Sequence, residues 1–476
     1  MRFQGFIGPS YTLGSKNVDA QRCINMYPEL NELGTGKERE IASLVSTPGL
    51  ELIEILGDGP VRGLHAGSNG VLYVVSGHLL YSVDSDFIPN HIGTLKTGYG
   101  NVSMQDNGMI LVVVDGDNGY HHTLGTQETT QIEDEAFLGS RQVAYQDGYF
   151  IFSKPDSGIF YIAGLGSIDF DALDFASAEG LPDNITGILC DHRELWLFGE
   201  VSTEVFYNTG AAAFPFQRVE GSFIEHGCVA TFSISKLNNT VYWLGRNEQG
   251  DGVVWAAEGY APRRISTHSV ERAMQKYGDL SEATAWTYQE NGHSFYALNF
   301  EQNDTTWVFD TASGQWHERA FTENGRLHRH RVNNHAFFAG KHVVGDFENG
   351  NLYEMSETIY SDNGSEITRR RVSPHITETL DRLFYSNFQL DIETGVGVDG
   401  TGQGVTPQAM LQWSDDGGHT WSNEYWRSFG EIGVRYKRAI WRRLGQSRDR
   451  IFRVTITDPV KVALIGAELD VAKGAS

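Results

Sequence analysis

Apolar residues in this chain come in short runs broken by one or two turn-forming residues, and the pattern returns along most of its length. Between Asn184 and Gly210 it reads as an apolar run (Ile185 to Cys190), a turn (Asp191, His192, Arg193), a second run (Leu195 to Phe198), a turn (Gly199, Glu200), and an outgoing run from Glu204 to Tyr207. Short β-branched and aromatic runs bounded by Gly, Asn and Asp predict strands joined by hairpins. Comparable central runs begin at 72, 110, 149, 195, 241, 294 and 342, at intervals of 38 to 53 residues. Repeats of that length holding several strands each predict a β-propeller, whose blades cannot bury both faces alone and stack on their neighbours. The expectation is an all-β chain with six or seven blades. A stack of unrelated β-sandwiches is the competing arrangement.

The rhythm stops at both ends. Residues 1–50 are extended and punctuated by Pro and Gly, with a charged loop from Gly34 to Glu40. They predict an N-terminal arm too poor in apolar area to fold alone, with Asn25, Tyr27 and Pro28 docking on another domain or subunit. Blades fill 51–355. One helical spacing interrupts them, Val270, Ala273, Met274 and Tyr277 after a candidate N-cap at Ser269, and reads as an insertion between blades. The last domain, 356–476, opens with a hairpin turning at Asp362 to Gly364 whose second arm carries Arg369, Arg370 and Arg371. Beyond it, alternation at Phe384, Phe388, Leu390 and Ile392, at Met410 to Trp413, at Phe452, Val454 and Ile456, and at Ala463 to Leu469 predicts a C-terminal β-sandwich.

Composition narrows the chemistry. A length of 476 residues exceeds one ordinary core, and 54 glycines with 12% aromatics suit many short strands. Three cysteines (Cys23, Cys190, Cys228) stand far apart and fit a reducing compartment better than a disulfide framework or a zinc site. The N-terminus carries no leader-like pattern, and no apolar run reaches the roughly 18 residues of a membrane span. A net charge of -24 opposes non-specific wrapping of nucleic acid. Against that background, Arg427 to Lys461 holds ten Lys and Arg against three acids, a local +7.

Several motifs invite a catalytic or metal reading. Ser414, Asp416, Gly418, Thr420 and Trp421 form an Asp box, a hairpin in which the carboxylate ties up turn amides. Such boxes recur in sialidase propellers, but here there is one, outside the propeller, so a structural turn is expected. Asp115 to Gly119 begins like a calcium loop, yet the required glycine is Tyr120 and the closing acid is Thr126, which leaves a hairpin turn. His121 and His122, with His328 and His330, have spacings that do not aim ligands at one tetrahedral site, and are expected at a surface or interface. The Gly-rich stretch Thr394 to Gly404 precedes no helix and reads as a flexible or interface loop. No catalytic, cofactor or metal residue is assigned. The basic run Arg435, Lys437, Arg438, Trp441, Arg442, Arg443, Arg448 and Arg450 fits a nucleic-acid groove, a strand pair with outward arginines, or an assembly face meeting an acidic partner. The acidity of the whole favours the assembly face.

The segments Asn17 to Glu29, Ser46 to Leu50, Arg62 to Leu64, Tyr360 to Gly364 with Arg369 to Arg371, and Ser414 to Gly417, Lys437 to Gly445 and Thr457 to Lys461 together resemble one family. It is the packaged-DNA stabilisation proteins of short-tailed bacteriophages, tail accessory, hub or nozzle proteins; the blades match only in rhythm. The resemblance implies a non-enzymatic virion part without cofactor, assembled in the bacterial host cytoplasm and residing in the virion tail. It implies a ring, expected to be a homo-hexamer, below the portal and its head-to-tail adaptor. Such a ring extends the channel for double-stranded DNA without sequence-specific contact, retains the packaged genome until ejection, and docks tailspikes or fibres; the chain itself enters no membrane. A sialidase-like or polysaccharide-cleaving enzyme and a monomeric binding module are the alternatives.

Overall fold

The computed structural model describes residues 2–30, 42–57, 59–178, 180–379 and 381–474; the charged loop Gly34 to Glu40 lies outside them. Seven antiparallel blades of four strands stand around one axis, spanning 61–94, 103–131, 143–177, 185–218, 235–264, 284–323 and, with Gly49–Ile55 as its fourth strand, 332–356. The first strands of successive sheets are neighbours, with the turn Thr231–Ser233 bridging blades 4 and 5, and that of blade 7 meets that of blade 1, so the circle closes. Of the six or seven blades expected, there are seven. Each predicted run falls on the second strand of a blade, and the reason is physical: that strand is covered on both faces. Leu72–Ser76 is buried throughout, and Ile110–Val114 in all but its first residue. A strand packed on both sides reads as a continuous apolar run, the most visible kind of strand in a sequence.

The hairpins into those strands use two-residue turns in the left-handed region, as at Asp147 (φ 50°) with Gly148 (φ 95°) and Asn238 (φ 48°) with Asn239 (φ 62°). Such turns match the twist of the strands they join. Between blades the side chains interlock: Phe198 and Trp243 lie 5.4 Å apart at the seam of blades 4 and 5, where Trp196 is also buried. The predicted helix is present at His268–Met274, with Val270 and Met274 buried between blades 5 and 6. Its cap is Thr267, whose hydroxyl accepts from the Val270 amide, and not Ser269. Ser269 instead accepts from the Thr12 amide at 2.7 Å, so the helix holds the arm.

The first fifty residues are woven into three sheets. Strand Ala20–Ile24 joins the outer strand of blade 6, Gln315–Glu323, in parallel, and on its other side pairs antiparallel with Arg369–Val372. The ladder continues through Asp449–Ile456 and Gln408–Ser414 to Tyr425–Ser428. One sheet thus runs from blade 6 into the sandwich. The facing sheet is Met26–Leu30, Ala42–Ser46, Ala463–Lys473, Leu383–Ile392 and Ala439–Arg442. Phe3, Phe6 and Met26 from the arm fill the core between the two sheets, together with Phe388, Leu411, Trp441 and Phe452. The next strand, Gly49–Ile55, pairs with Asn351–Ser356 and completes blade 7.

One side chain holds much of this weave. Arg371 is fully buried and donates to the carbonyl oxygens of Phe6 (2.6 Å), Pro9 (2.8 Å) and Gly5 (3.0 Å) and to Gln21 Oε1 (2.6 Å). Arg369 points the same way, two residues along the strand, onto the carbonyls of Asp458 and Tyr360. Arg369 and Arg371 are therefore interior mortar, while Arg370 between them is half-buried on the other face beside Thr455, and the hairpin before them is confined to Ser361–Asp362 with Ser365–Glu366.

Candidate assembly surface

Tyr425–Ser428 is the last strand of the sheet that begins in blade 6, five strand spacings beyond Gln315–Glu323, or about 24 Å. Ala439–Arg442 is the last strand of the facing sheet. The loop 429–438 joins these two edges, so it caps the end of the sandwich farthest from the propeller. It is ordered by backbone hydrogen bonds: Gly433 N donates to Gly395 O (3.1 Å), Val434 N to Glu431 O (3.0 Å), and Thr394 Oγ1 to Arg435 O (2.9 Å). The Gly-rich stretch is thus the cradle of this loop. A Cβ at Gly397 would sit 2.8 Å from Ile432 N, a contact that only glycine avoids.

The predicted basic residues divide. Arg435, Lys437, Arg438, Arg442, Arg443 and Arg448 are exposed, and the first five make no ion pair among the described residues. Trp441 and Arg450 are core residues, which corrects their placement on the face. Trp441 is 1% exposed and donates through Nε1 to Tyr425 O (2.6 Å). Arg450 is clamped by both carboxylate oxygens of Asp415 (2.6 and 2.8 Å) and lies over the Tyr385 ring at 4.4 Å. Between the exposed cations stand apolar groups that charge counting passes over: Tyr425, Trp426, Ile432, Val434, and Tyr436 at 97% exposure. Exposed Tyr, Trp and Arg side by side make the composition of interface anchors. The alternation Val434, Tyr436, Arg438 within the basic run was the available signal.

The other predicted residues lie elsewhere. Asn25 spans arm, blade 6 and sandwich: its Nδ2 donates to Ala320 O and Thr368 O, and its Oδ1 accepts from Ala320 N. Tyr27 is buried against His293 and Phe295, and Pro28 is buried beside it. Asn25 and Tyr27 dock on the propeller of their own chain, and Pro28 lies opposite Leu44 in the sandwich sheet. In the Asp box, Asp416 accepts from Ser414 Oγ (2.6 Å), from Thr420 Oγ1 and from the amides of Thr420 and His419, which together hold its carboxyl well below the usual range. Ser414 Oγ accepts from Gly418 N, and Trp421 packs beside Ala20, Val372 and Ile451 under the Arg453 guanidinium. Asp115 accepts from Asn118 N in the turn between Ile110–Val114 and Gly119–Thr123. His122 and His330 are buried inside the propeller and not at a surface, His330 in the seam of blades 6 and 7. Among the described residues no three metal-ligating groups converge. A cavity of about 320 Å³ opens at blades 3 to 5, where Arg141 and Asp156 pair at 3.7 Å and Glu200 and Arg246 also line the wall.

No curated protein sequence matches the chain. Among solved structures it is similar to the extracellular domain of the putative hybrid two-component system BT4673 from B. thetaiotaomicron (12% identity, TM-score 0.45), covering 64% of this chain and 39% of that one. The chain therefore spans about two fifths of that domain. It is similar also to the WD40 β-propeller domain of Doa1 (12% identity, TM-score 0.40; 64% and 96% covered) and to the designed protein Ika8 (13% identity, TM-score 0.37; 65% and 100% covered). A family model described as bacteriophage P22 Gp10, β-propeller, matches residues 16–360, and one described as bacteriophage P22 Gp10, β-sandwich, matches 368–472.

Proposed function

The chain belongs to the bacteriophage P22 Gp10 family of packaged-DNA stabilisation proteins, structural proteins of the phage particle, and on that premise we propose that it is the hub or nozzle of a short tail. In this reading copies form a ring, a homo-hexamer, below the portal and its head-to-tail adaptor. The ring extends the DNA channel, keeps the packaged genome from leaking, and carries tailspikes or fibres. The propeller (51–355) is its rigid block, the arm (1–50) and sandwich (356–476) its connector, and the part is non-enzymatic.

The observation that supports this most is the aromatic and basic end of the sandwich, held about 24 Å from the propeller by one continuous sheet. A large exposed anchor set on a rigid stem suits a fixed neighbour. The acidic body, net -24, suits a wall along which DNA phosphate slides without sticking. Native mass measurement of the purified protein, alone and with its adaptor, tests the reading. A species several-fold heavier than 53.0 kDa supports it; a 53.0 kDa monomer in both cases, or glycan cleavage by that monomer, overturns it.

A further inference from the structure

The surface opposite the basic end in both position and charge is the outer edge of blade 3. Its last strand, Phe170–Ser177, pairs only with Ile159–Ala163 among the described residues. In that pairing Ala163 faces Phe170 while Tyr161 faces Phe175, so the outer strand carries more residues than its partner and bows outward from Asp171 to Asp174. The bow is stiffened by Leu173 N donating to Asp171 Oδ1 at 2.9 Å. At its crest Leu173 is 79% exposed, with Phe175, Leu165 and Leu138 also exposed nearby. An apolar crest on an unpaired sheet edge is a surface that proteins cover or use. Residues 133–183 hold ten acids against two bases, Arg141 and Lys154, a local -8 beside the +7 of the sandwich end.

The placement of the two surfaces completes the argument. The sandwich is fused to blade 6 through Ala20–Ile24 and tied to blade 7 through Gly49–Ile55. Half a revolution of a seven-bladed ring is three and a half blades, so the edge diametrically opposite the seam of blades 6 and 7 is that of blade 3. The molecule carries an apolar acidic crest at one end and an aromatic basic loop at the other. Within one copy they cannot meet.

We infer that the loop 429–438 of one copy seats on the Asp171 to Phe175 crest of the next, head to tail, with Tyr436, Val434 and Ile432 against Leu173 and Phe175. Arg435, Lys437 and Arg438 face Asp171 and Asp174. Contacts of this heterologous kind make rings when the rotation between copies closes, and the inference rests on the ring reading above. Opposite charge at the rim sets partner and register, and aromatic anchors at the centre supply the grip.

The test uses the full chain and two charge-reversal variants, R435E/K437E/R438E and D171K/D174K, under conditions where the unaltered protein assembles. Each variant alone is expected to stay near 53.0 kDa, with assembly weakened at least about tenfold. Mixed one to one they are expected to assemble again, because each reversed loop then finds a reversed crest and each native loop a native crest. A separate double variant, L173C/Y436C, is expected to give a ladder of covalent multimers on mild oxidation, whereas each single cysteine variant stops at or before the dimer. Assembly of either charge variant at native strength, or failure of the mixture, overturns this interface while leaving the ring reading intact. An unaltered protein that stays monomeric with its adaptor overturns both.

Discussion

Replacing Arg371 by Met should detach the N-terminal arm while leaving the propeller folded. Among the described residues the guanidinium makes no ion pair; it is satisfied by the carbonyls of Gly5, Phe6 and Pro9 and by Gln21 Oε1, and burial pushes its pKa down to about 10. Each hydrogen bond from a charged donor is worth roughly 1.5–3 kcal/mol against an unmade one. Each buried acceptor left unpaired costs about 1–3 kcal/mol, and relief from desolvating the cation offsets part of that sum, so the net loss is about 3–5 kcal/mol. The loss falls on the arm, because every acceptor lies between residues 5 and 22. Native-state amide exchange reads it directly: protection of the Cys23 and Ile24 amides, on the strand between blade 6 and Arg369–Val372, should drop by that amount. Protection in Leu72–Ser76 should stay. Arg371→Lys should recover only part, since a point ammonium cannot reach acceptors on several sides. Arm amides that lose less than about 1 kcal/mol in the Met variant would refute the mortar role.

Trp196→Ala should destabilise the propeller by about 3–5 kcal/mol in denaturant titration, because the indole fills the seam of blades 4 and 5; a change below about 1 kcal/mol would contradict that packing. Acid should weaken the seam of blades 6 and 7. Burial drives the His317 pKa from 6.5 down to about 3, and that of His330 well below 6.5. The unfolded chain therefore takes up protons that the folded one refuses, so stability is fully present above pH 6.5 and falls as pH drops toward 3, by up to about 1.4 kcal/mol per unit for each histidine. Thermal unfolding against pH checks this, and His317→Gln should flatten the slope. Gly350→Ala should spring the closure of blade 7, since its Cβ would lie 1.8 Å from Leu56 O; limited proteolysis near residue 57 should accelerate.

The propeller was legible because its signal is local. Each second strand is covered on both faces, and each hairpin carries its own turn residues, so runs such as Leu72–Ser76 and turns such as Asp147-Gly148 stand out without knowledge of the rest. The arm was not, because its partners are remote. Leu44 pairs with Leu464 and Gly49 with Ser356, and neither strand bears a mark of what lies beside it. Charge alone misled. Arg371 and Arg450 belong to the interior because carbonyls and Asp415 wait for them there, whereas Tyr436 is the most exposed large hydrophobic of the surface it shares with Arg435 and Lys437. A run of cations announces that a site is near; which members reach it depends on strand register.

The pairing of Leu44 with Leu464 has a consequence for how a copy is made. The two positions are 420 residues apart, and at roughly 5–20 residues per second the earlier strand leaves the ribosome tens of seconds before its partner. Until Ala463–Lys473 emerges, the facing sheet of the sandwich has no middle, and Leu383–Ile392, on which Ala439–Arg442 hangs, lacks its neighbour on the other side. A chain cut short before that point can stack most of its blades but cannot join Ala42–Ser46 to Leu383–Ile392, so its sandwich stays open. The fold thereby closes the sandwich last, with the strand that ends the described chain acting as its keystone.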